Sequence, residues 1–337
     1  MLNVSAVPQD DKKAAFIAES KNNRSRCYEL SEQITNEVAV DSGKFQQYLD
    51  VQARFDRYTA NNALLILAQR PDAERLGDYG YWREQGVFVK RVEKDNPVLI
   101  LEPGKEYERE DGSIGTYYNA KKLYDISQTT MSERPQPQAA MDERLLIRAL
   151  INNPPASIVT AEPDQMPVDK GAIFEPEENC IYVRKGMNAQ EIFQCLTPEL
   201  ALAGFADGDP KYDRNEDAFH AYCASYMLCK KYGIDTQAYD FSYAPEFLEG
   251  MEPQEVRAEL SKAREAANNI SSRMAKVFEQ NRMNQRQQEQ AEQNREEGQS
   301  RENDPERESG QSRMYGQSRE SSQSRGNWQR RENVQER

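Results

Sequence analysis

Histidine is nearly absent: the 337 residues contain one, His220. No metal site built on two histidines can be assembled within one copy of the chain, which removes the commonest zinc-hydrolase chemistry. Cysteine is scarce and scattered, at Cys27, Cys180, Cys195, Cys223 and Cys229, with no CxxC pair. An odd, dispersed set indicates neither a disulfide framework nor a zinc ribbon, and reduced thiols in a cytoplasmic protein are expected. No run of about 18 apolar residues is present, so no membrane span and no membrane partner are expected. The first twenty residues lack the basic start and apolar stretch of a signal peptide. Positive charge is also short. The net charge is −13, which disfavours nonspecific duplex-DNA binding because that relies on neutralising phosphates. Only 37% of residues are hydrophobic against 30% charged, so part of the chain is expected to be disordered.

The charge is unevenly spread. Residues 51–130 carry −1 and residues 131–280 carry −10. Residues 11–70 read mostly as helix, with apolar positions at three- and four-residue spacing through Tyr28, Leu30, Ile34 and Val38, then Phe45, Leu49, Val51 and Phe55. Arg70 before Pro71 stops the pattern. From Gly77 glycines punctuate short β-like runs: Val87–Val89, Val98–Leu101 and Thr116–Tyr118, with Asp111-Gly112 as a hairpin turn between the last two. A polar, proline-bearing linker follows, then a helix from about Met141 to Asn152 and strands at Ile158–Thr160 and Cys180–Val183. Asn188 with Glu191 forms a capping box for the next helix. Further helices are expected over 213–232, closed by Gly233, and from Glu252 to about Gln280. Beyond residue 285 the chain is Gln, Arg, Glu, Ser and Asn, with GQSR recurring at 298, 310 and 316. The expected fold class is therefore α+β: residues 1–130 with helices and a small antiparallel sheet, a linker over 131–141, a mostly helical domain over 142–285 and a disordered tail over 286–337.

Residues 55–130 hold the most specific pattern. Asn62 precedes an apolar run that ends in Gln69, Pro71 and Ala73. Trp82, Gly86, Val89-Lys90 and the closing stretch Tyr124–Thr129 follow in order. This resembles the single-stranded-DNA-binding domain of the ArdC-type antirestriction proteins of conjugative plasmids and transposons. Composition fits independently: single-strand binders combine stacking aromatics with a cationic track, at ~1–3 kcal/mol per stacked base. Tyr58, Tyr79, Tyr81, Trp82 and Phe88 are stacking candidates beside Lys90, Arg91 and Lys94, with Lys121-Lys122 a second basic pair. The candidate nucleic-acid residues are Asn62, Gln69, Tyr81, Trp82, Lys90, Arg91, Lys94 and Gln128. Each has a competing structural role. Trp82 serves equally as a core anchor, Asn62 and Gln69 as caps or staples of a helix end, and Lys90-Arg91 as a charged strand edge.

In the resembling family the second domain is similar to a zinc metallopeptidase with HExxH on a helix, where two histidines one turn apart grip the metal and the glutamate acts as general base. The matching stretch here is Thr197–Ala203. Glu199, Leu200, Ala201 and Ala203 remain, but Pro198 and Leu202 stand at the two histidine positions. Neither side chain has a metal-binding atom, so no catalytic residue, no metal and no cofactor is expected, with Pro198, Glu199 and Leu202 as relic positions. A replacement site built from Cys195 and Glu199 is the remaining alternative. Thr197-Pro198-Glu199 also reads as a helix start, with the ancestral helix broken or kinked there, since a mid-helix proline costs ~3 kcal/mol. The third-ligand position of the family falls near His220 or Tyr222. The expected function is single-stranded DNA binding by an accessory protein of a mobile element, without peptidase activity. The competing expectation is an acidic interaction or decoy module that engages a basic host protein.

Overall fold

The computed structural model describes residues 9–109, 111–131 and 142–302. The expected linker beyond Met131 and the expected tail beyond Glu302 lie outside the described residues. The architecture is α+β. Three helices come first: α1 (Gln9–Val40), α2 (Ser42–Arg54) and α3 (Ala60–Gln69). Asp41 caps α2 by accepting the Lys44 N–H at 3.0 Å, and Thr59 caps α3 by accepting from Asn62 at 3.3 Å. The short β1 (Leu76–Gly77) and α4 (Tyr79–Glu84) lead to the long hairpin of β2 (Val98–Glu108) and β3 (Ile114–Asp125). These strands form an antiparallel sheet in the order β1-β3-β2, with a register shift between Pro103 and Glu106.

The chain then forms α5 (Glu143–Leu150), β4 (Ser157–Ala161), β5 (Ala172–Glu175), β6 (Cys180–Arg184), α6 (Ala189–Ala206) and α7 (Ala218–Tyr232), followed by α8 (Ala244–Phe247) and α9 (Pro253–Glu302). The second sheet has the order β4-β6-β5, with β4 parallel and β5 antiparallel to β6. The Asn188–Glu191 capping box starts α6 as the sequence predicts, its two bonds at 3.0 and 2.8 Å. Gly233, at φ +71°, ends α7 in the left-handed conformation that glycine adopts at little cost.

The main apolar core is continuous from Ile34 to Met274 and crosses the division at 131–141 expected from composition. Its bridge is α2 against α7. Phe45 is fully buried, with its ring centroid 5.5 Å from Phe219 and 5.6 Å from Phe241. Burying such a side chain contributes ~2–3 kcal/mol. Tyr226 of α7 donates to Asp50 at 2.7 Å, and Lys231 pairs with Asp56 at 2.6 Å. The chain divides instead into residues 1–281 and 282–337.

Four local expectations are corrected. The stretch Val87–Val89 is not a strand and makes one isolated bridge, Val89 to Thr129, because both valines turn inward beneath Trp82. The helix expected from 213 begins only at Ala218, since the side chain of Asp213 bonds the backbone of Asn215 and holds that segment as a turn. Helix α6 runs through Pro198 without a break. Proline leaves the Gln194 carbonyl without its helical donor, and the hydroxyls of Thr197 and Ser225 approach that oxygen instead, each at 3.5 Å. In the second unit α9 continues to Glu302 where disorder is expected from 286. Its side chains from Arg282 to Gln293 are exposed, so this stretch is helical on the propensity of Gln, Glu and Arg alone.

Candidate functional site

Two amides of α3 finish the edge of the first sheet. Asn62 donates through Nδ2 to the Leu101 carbonyl at 2.8 Å and accepts the Leu101 N–H at 2.9 Å. Gln69 makes the same two-way pairing with Leu99, at 2.8 and 2.9 Å. Both face the edge of β2 opposite β3 and satisfy backbone groups that would otherwise be buried unpaired. Gln128 is 1% exposed; it accepts the Asp125 N–H at 2.8 Å and donates to Glu93 and to the Asn96 carbonyl at 2.9 and 2.7 Å. Trp82 is also 1% exposed and donates to the Tyr124 carbonyl at 2.9 Å, with the Arg75 guanidinium 5.2 Å from its ring centroid. Together with Val87, Val89, Tyr124 and Ile126 it forms a small core of its own. The alternatives open in the sequence resolve here in favour of structure: Asn62, Trp82 and Gln128 are buried in the scaffold and Gln69 is half-buried, and their polar groups are already paired.

The other four candidates, Tyr81, Lys90, Arg91 and Lys94, lie at or near the surface, Tyr81 on α4 and the three basic residues at the turn that Lys90 begins. Asp78 caps α4 by accepting from Tyr81 at 2.8 Å, and Trp82 anchors the helix inward, which leaves Tyr79 and Tyr81 outward at 46% and 39% exposure. Phe88 is 55% exposed, with its N–H on the Thr130 hydroxyl at 3.2 Å. Lys90 begins the short turn Arg91–Glu93 and donates to the Ser127 carbonyl at 3.3 Å. Tyr124 donates to the Lys94 carbonyl at 2.8 Å, and the Lys94 ammonium stands 6.0 Å from the Tyr79 ring. Glu93 on the same turn is held below the usual carboxylate range, chiefly by the Gln128 hydrogen bond. Lys121 and Lys122 are ion-paired: Lys121 with Glu102 and with Asp78, the cap of α4, at 2.9 and 3.5 Å, and Lys122 with Glu19. Tyr58 is half-buried against Phe55. Sequence reasoning missed Tyr107 and Tyr117, whose ring centroids lie 4.2 Å apart with the planes tilted by 36° on the exposed part of the hairpin; Tyr107 is registered with Gly115, and the pair forms only beyond the hairpin's bulge.

The second half places Glu199 in α6, 8% exposed, facing β5. Its carboxylate accepts the Phe174 N–H at 2.7 Å, and Arg214 donates one Nη to both of its oxygens at 3.0 and 2.8 Å. Burial pushes the Glu199 carboxyl above the usual range, opposed by the Arg214 charge and the Phe174 N–H. Nothing in the sequence pattern singles out Arg214. His220, 2% exposed, lies with Nε2 against Glu259 and Nδ1 3.3 Å from Asp217. Tyr222 accepts the Asp240 N–H at 2.8 Å.

Solved structures similar to this chain include two of the antirestriction protein ArdC from plasmid R388, one metal-free and one Mn(II)-bound. Each is 16% identical, covers 73% of this chain and 98% of that chain, and has a TM-score of 0.47. No protein-family model and no curated protein matches the chain.

The residues present do not fit a metal at the relic helix. Pro198 and Leu202 offer no donor atom, and Leu202 is 4% exposed among apolar neighbours. The retained carboxylate already has a cation, the Arg214 guanidinium. Neither His220 nor Tyr222 is available as a third ligand, since both are tied to other groups. Among the described residues no group of three or more His, Cys, Asp or Glu side chains is arranged to hold a metal ion, a site built from Cys195 and Glu199 included. Among the described residues no helix is long and apolar enough to cross a membrane.

Proposed function

We propose that the chain is an accessory protein of the antirestriction type that binds single-stranded DNA and does not hydrolyse peptides. One observation supports the binding reading most: Tyr79, Tyr81 and Phe88 stand exposed around a small core anchored by Trp82, with the Lys94 ammonium 6.0 Å from the Tyr79 ring and Lys90 and Arg91 on the same turn as Lys94. Exposed rings on a rigid support stack on unpaired bases at low entropic cost, and a short cationic turn follows the backbone without requiring a basic protein. The motif resemblance over residues 55–130 points to the same ligand. The reading against peptide hydrolysis rests on Pro198 and Leu202, which cannot hold a metal, and on Glu199, whose oxygens are engaged by Arg214 and Phe174 and cannot activate water.

The test is a fluorescence-anisotropy titration of the full chain with a labelled oligonucleotide, single- and double-stranded, across salt. Single-strand preference at low salt that declines in Tyr81→Ala, Phe88→Ala and Lys94→Ala supports the reading. Equal or absent binding of both forms refutes it.

A further inference from the structure

A cleft of about 490 Å³ runs along α6 on the Pro198 side, between α6, α7, the segment before β5 and the turn at Ala238-Tyr239. Its volume lies within the range of small-molecule sites. The inner wall is apolar: Met187, Cys195, Pro198 and the rings of Tyr222 and Tyr239, whose centroids are 4.9 Å apart. The hydroxyls at the bottom satisfy one another. Ser225 is 2.7 Å from Thr197 and 2.6 Å from Tyr239, and Tyr239 reaches Cys229 at 3.4 Å. A polar group inserted there would lose its water and gain no partner, so the inner end suits a flat apolar body.

The rim is different. Lys170 and Arg184 reach it from two sides. Arg184 gives one Nη to the Pro167 carbonyl, while its Nε is buried with no hydrogen-bond partner among the described residues. Two acids share the rim. The Glu191 carboxylate accepts the Asn188 N–H at 2.8 Å as a helix cap, so the two cations meet two carboxylates, of which Glu191 is held at the start of α6. The wall is preformed: at Gly171 an added Cβ would stand 2.9 Å from the Cys195 sulfur, so the backbone of the segment before β5 packs directly on α6.

We propose that this cleft binds a small ligand with a flat apolar body and one anionic head group, the body lying against Tyr222, Tyr239 and Pro198 and the head on Lys170 and Arg184. The site is separate from the aromatic module and does not depend on the nucleic-acid reading. It occupies a flank of the helix that cannot hold a metal.

The test uses 8-anilinonaphthalene-1-sulfonate and its uncharged relative N-phenyl-1-naphthylamine on the folded full chain. One saturable sulfonate site per chain is expected. Lys170→Gln, at an exposed position, is expected to weaken the sulfonate about tenfold and to leave the uncharged probe nearly unchanged. Ala238→Trp, at the exposed rim, is expected to abolish both by closing the mouth. Circular dichroism checks that each variant keeps the parent fold. No saturable site, or a site indifferent to Ala238→Trp, overturns the proposal. Equal weakening of both probes by Lys170→Gln overturns the anionic head group.

Discussion

Arg214→Met tests whether the guanidinium holds the relic carboxylate in place. At 2.8 Å and an effective dielectric of about 20, the pair is worth roughly 6 kcal/mol before solvation is counted. Removing one partner of a buried pair costs ~3–5 kcal/mol, because the other is left charged without a counterion. The Arg214 side chain is 34% exposed, so water already screens it and the lower end applies, about 3 kcal/mol. With an unfolding entropy of about 2.1 cal/mol/K per residue over the 281 residues of the first unit, that lowers Tm by ~5 °C. The pH dependence fixes the cause. Burial raises the folded carboxyl above its unfolded value, so its contribution to stability is greatest below the unfolded pKa and falls as pH rises through the folded one. Without Arg214 the folded value rises further. The unfolded value is common to both proteins, so the deficit against the parent is expected to be larger at pH 7 than at pH 5 and to shrink as pH falls through the folded-state values. Adding Glu199→Gln removes the charge while keeping an acceptor for the Phe174 N–H, and is expected to recover more than half of the loss. Differential scanning calorimetry at pH 7 and pH 5 measures all of this. A single variant as stable as the parent at pH 7, or a double variant no better than the single, refutes the reasoning.

Asn62→Leu removes both bonds to Leu101 and leaves a buried N–H and C=O unpaired; a loss of ~2–4 kcal/mol in urea denaturation is expected, and an unchanged midpoint contradicts the edge-pairing role. Trp82→Ala is expected to cost ~3–5 kcal/mol of stability, whereas Tyr81→Ala leaves stability within about 0.5 kcal/mol and lowers oligonucleotide affinity by ~1–3 kcal/mol; the reverse pattern in paired melting and binding assays contradicts the division into anchor and platform. Pro198→Ala restores a helical N–H toward the Gln194 carbonyl, which otherwise has two hydroxyls no nearer than 3.5 Å, and is expected to stabilise by ~1–3 kcal/mol; a destabilised variant argues against this.

Much of the fold was legible in local chemistry. Arg70 before Pro71, Asn188 and Gly233 mark helix ends by rules that act over a few residues, and each acts as such in the structure. The core that joins the two halves was not legible, because the contact of Phe45 with Phe219 depends on packing between segments far apart in sequence. At the surface the sequence singled out a run rich in aromatic rings but could not separate ring from ring. Trp82 and Tyr81 are adjacent on one short helix, and only the helix's orientation sends one in and the other out. The same limit applies to amides: Asn62, Gln69 and Gln128 are chemically suited to base edges and equally suited to backbone, and the fold takes them for backbone. Arg214 left no signal, since a basic residue in an acidic turn reads as ordinary solvation until Glu199 is placed opposite it.

The pairing of α3 with β2 acts as a gauge of length and angle. Seven residues along a helix advance about 10.5 Å, while Leu99 to Leu101 along a strand advance about 6.8 Å, so the helix must cross the strand obliquely for both amides to reach. The longer arm of glutamine stands at Gln69 and the shorter arm of asparagine at Asn62. Exchanging the two would preserve composition and charge yet tilt the helix the wrong way. Inserting one residue between them would swing Gln69 about 100° around the helix and strip Leu99 of its partner.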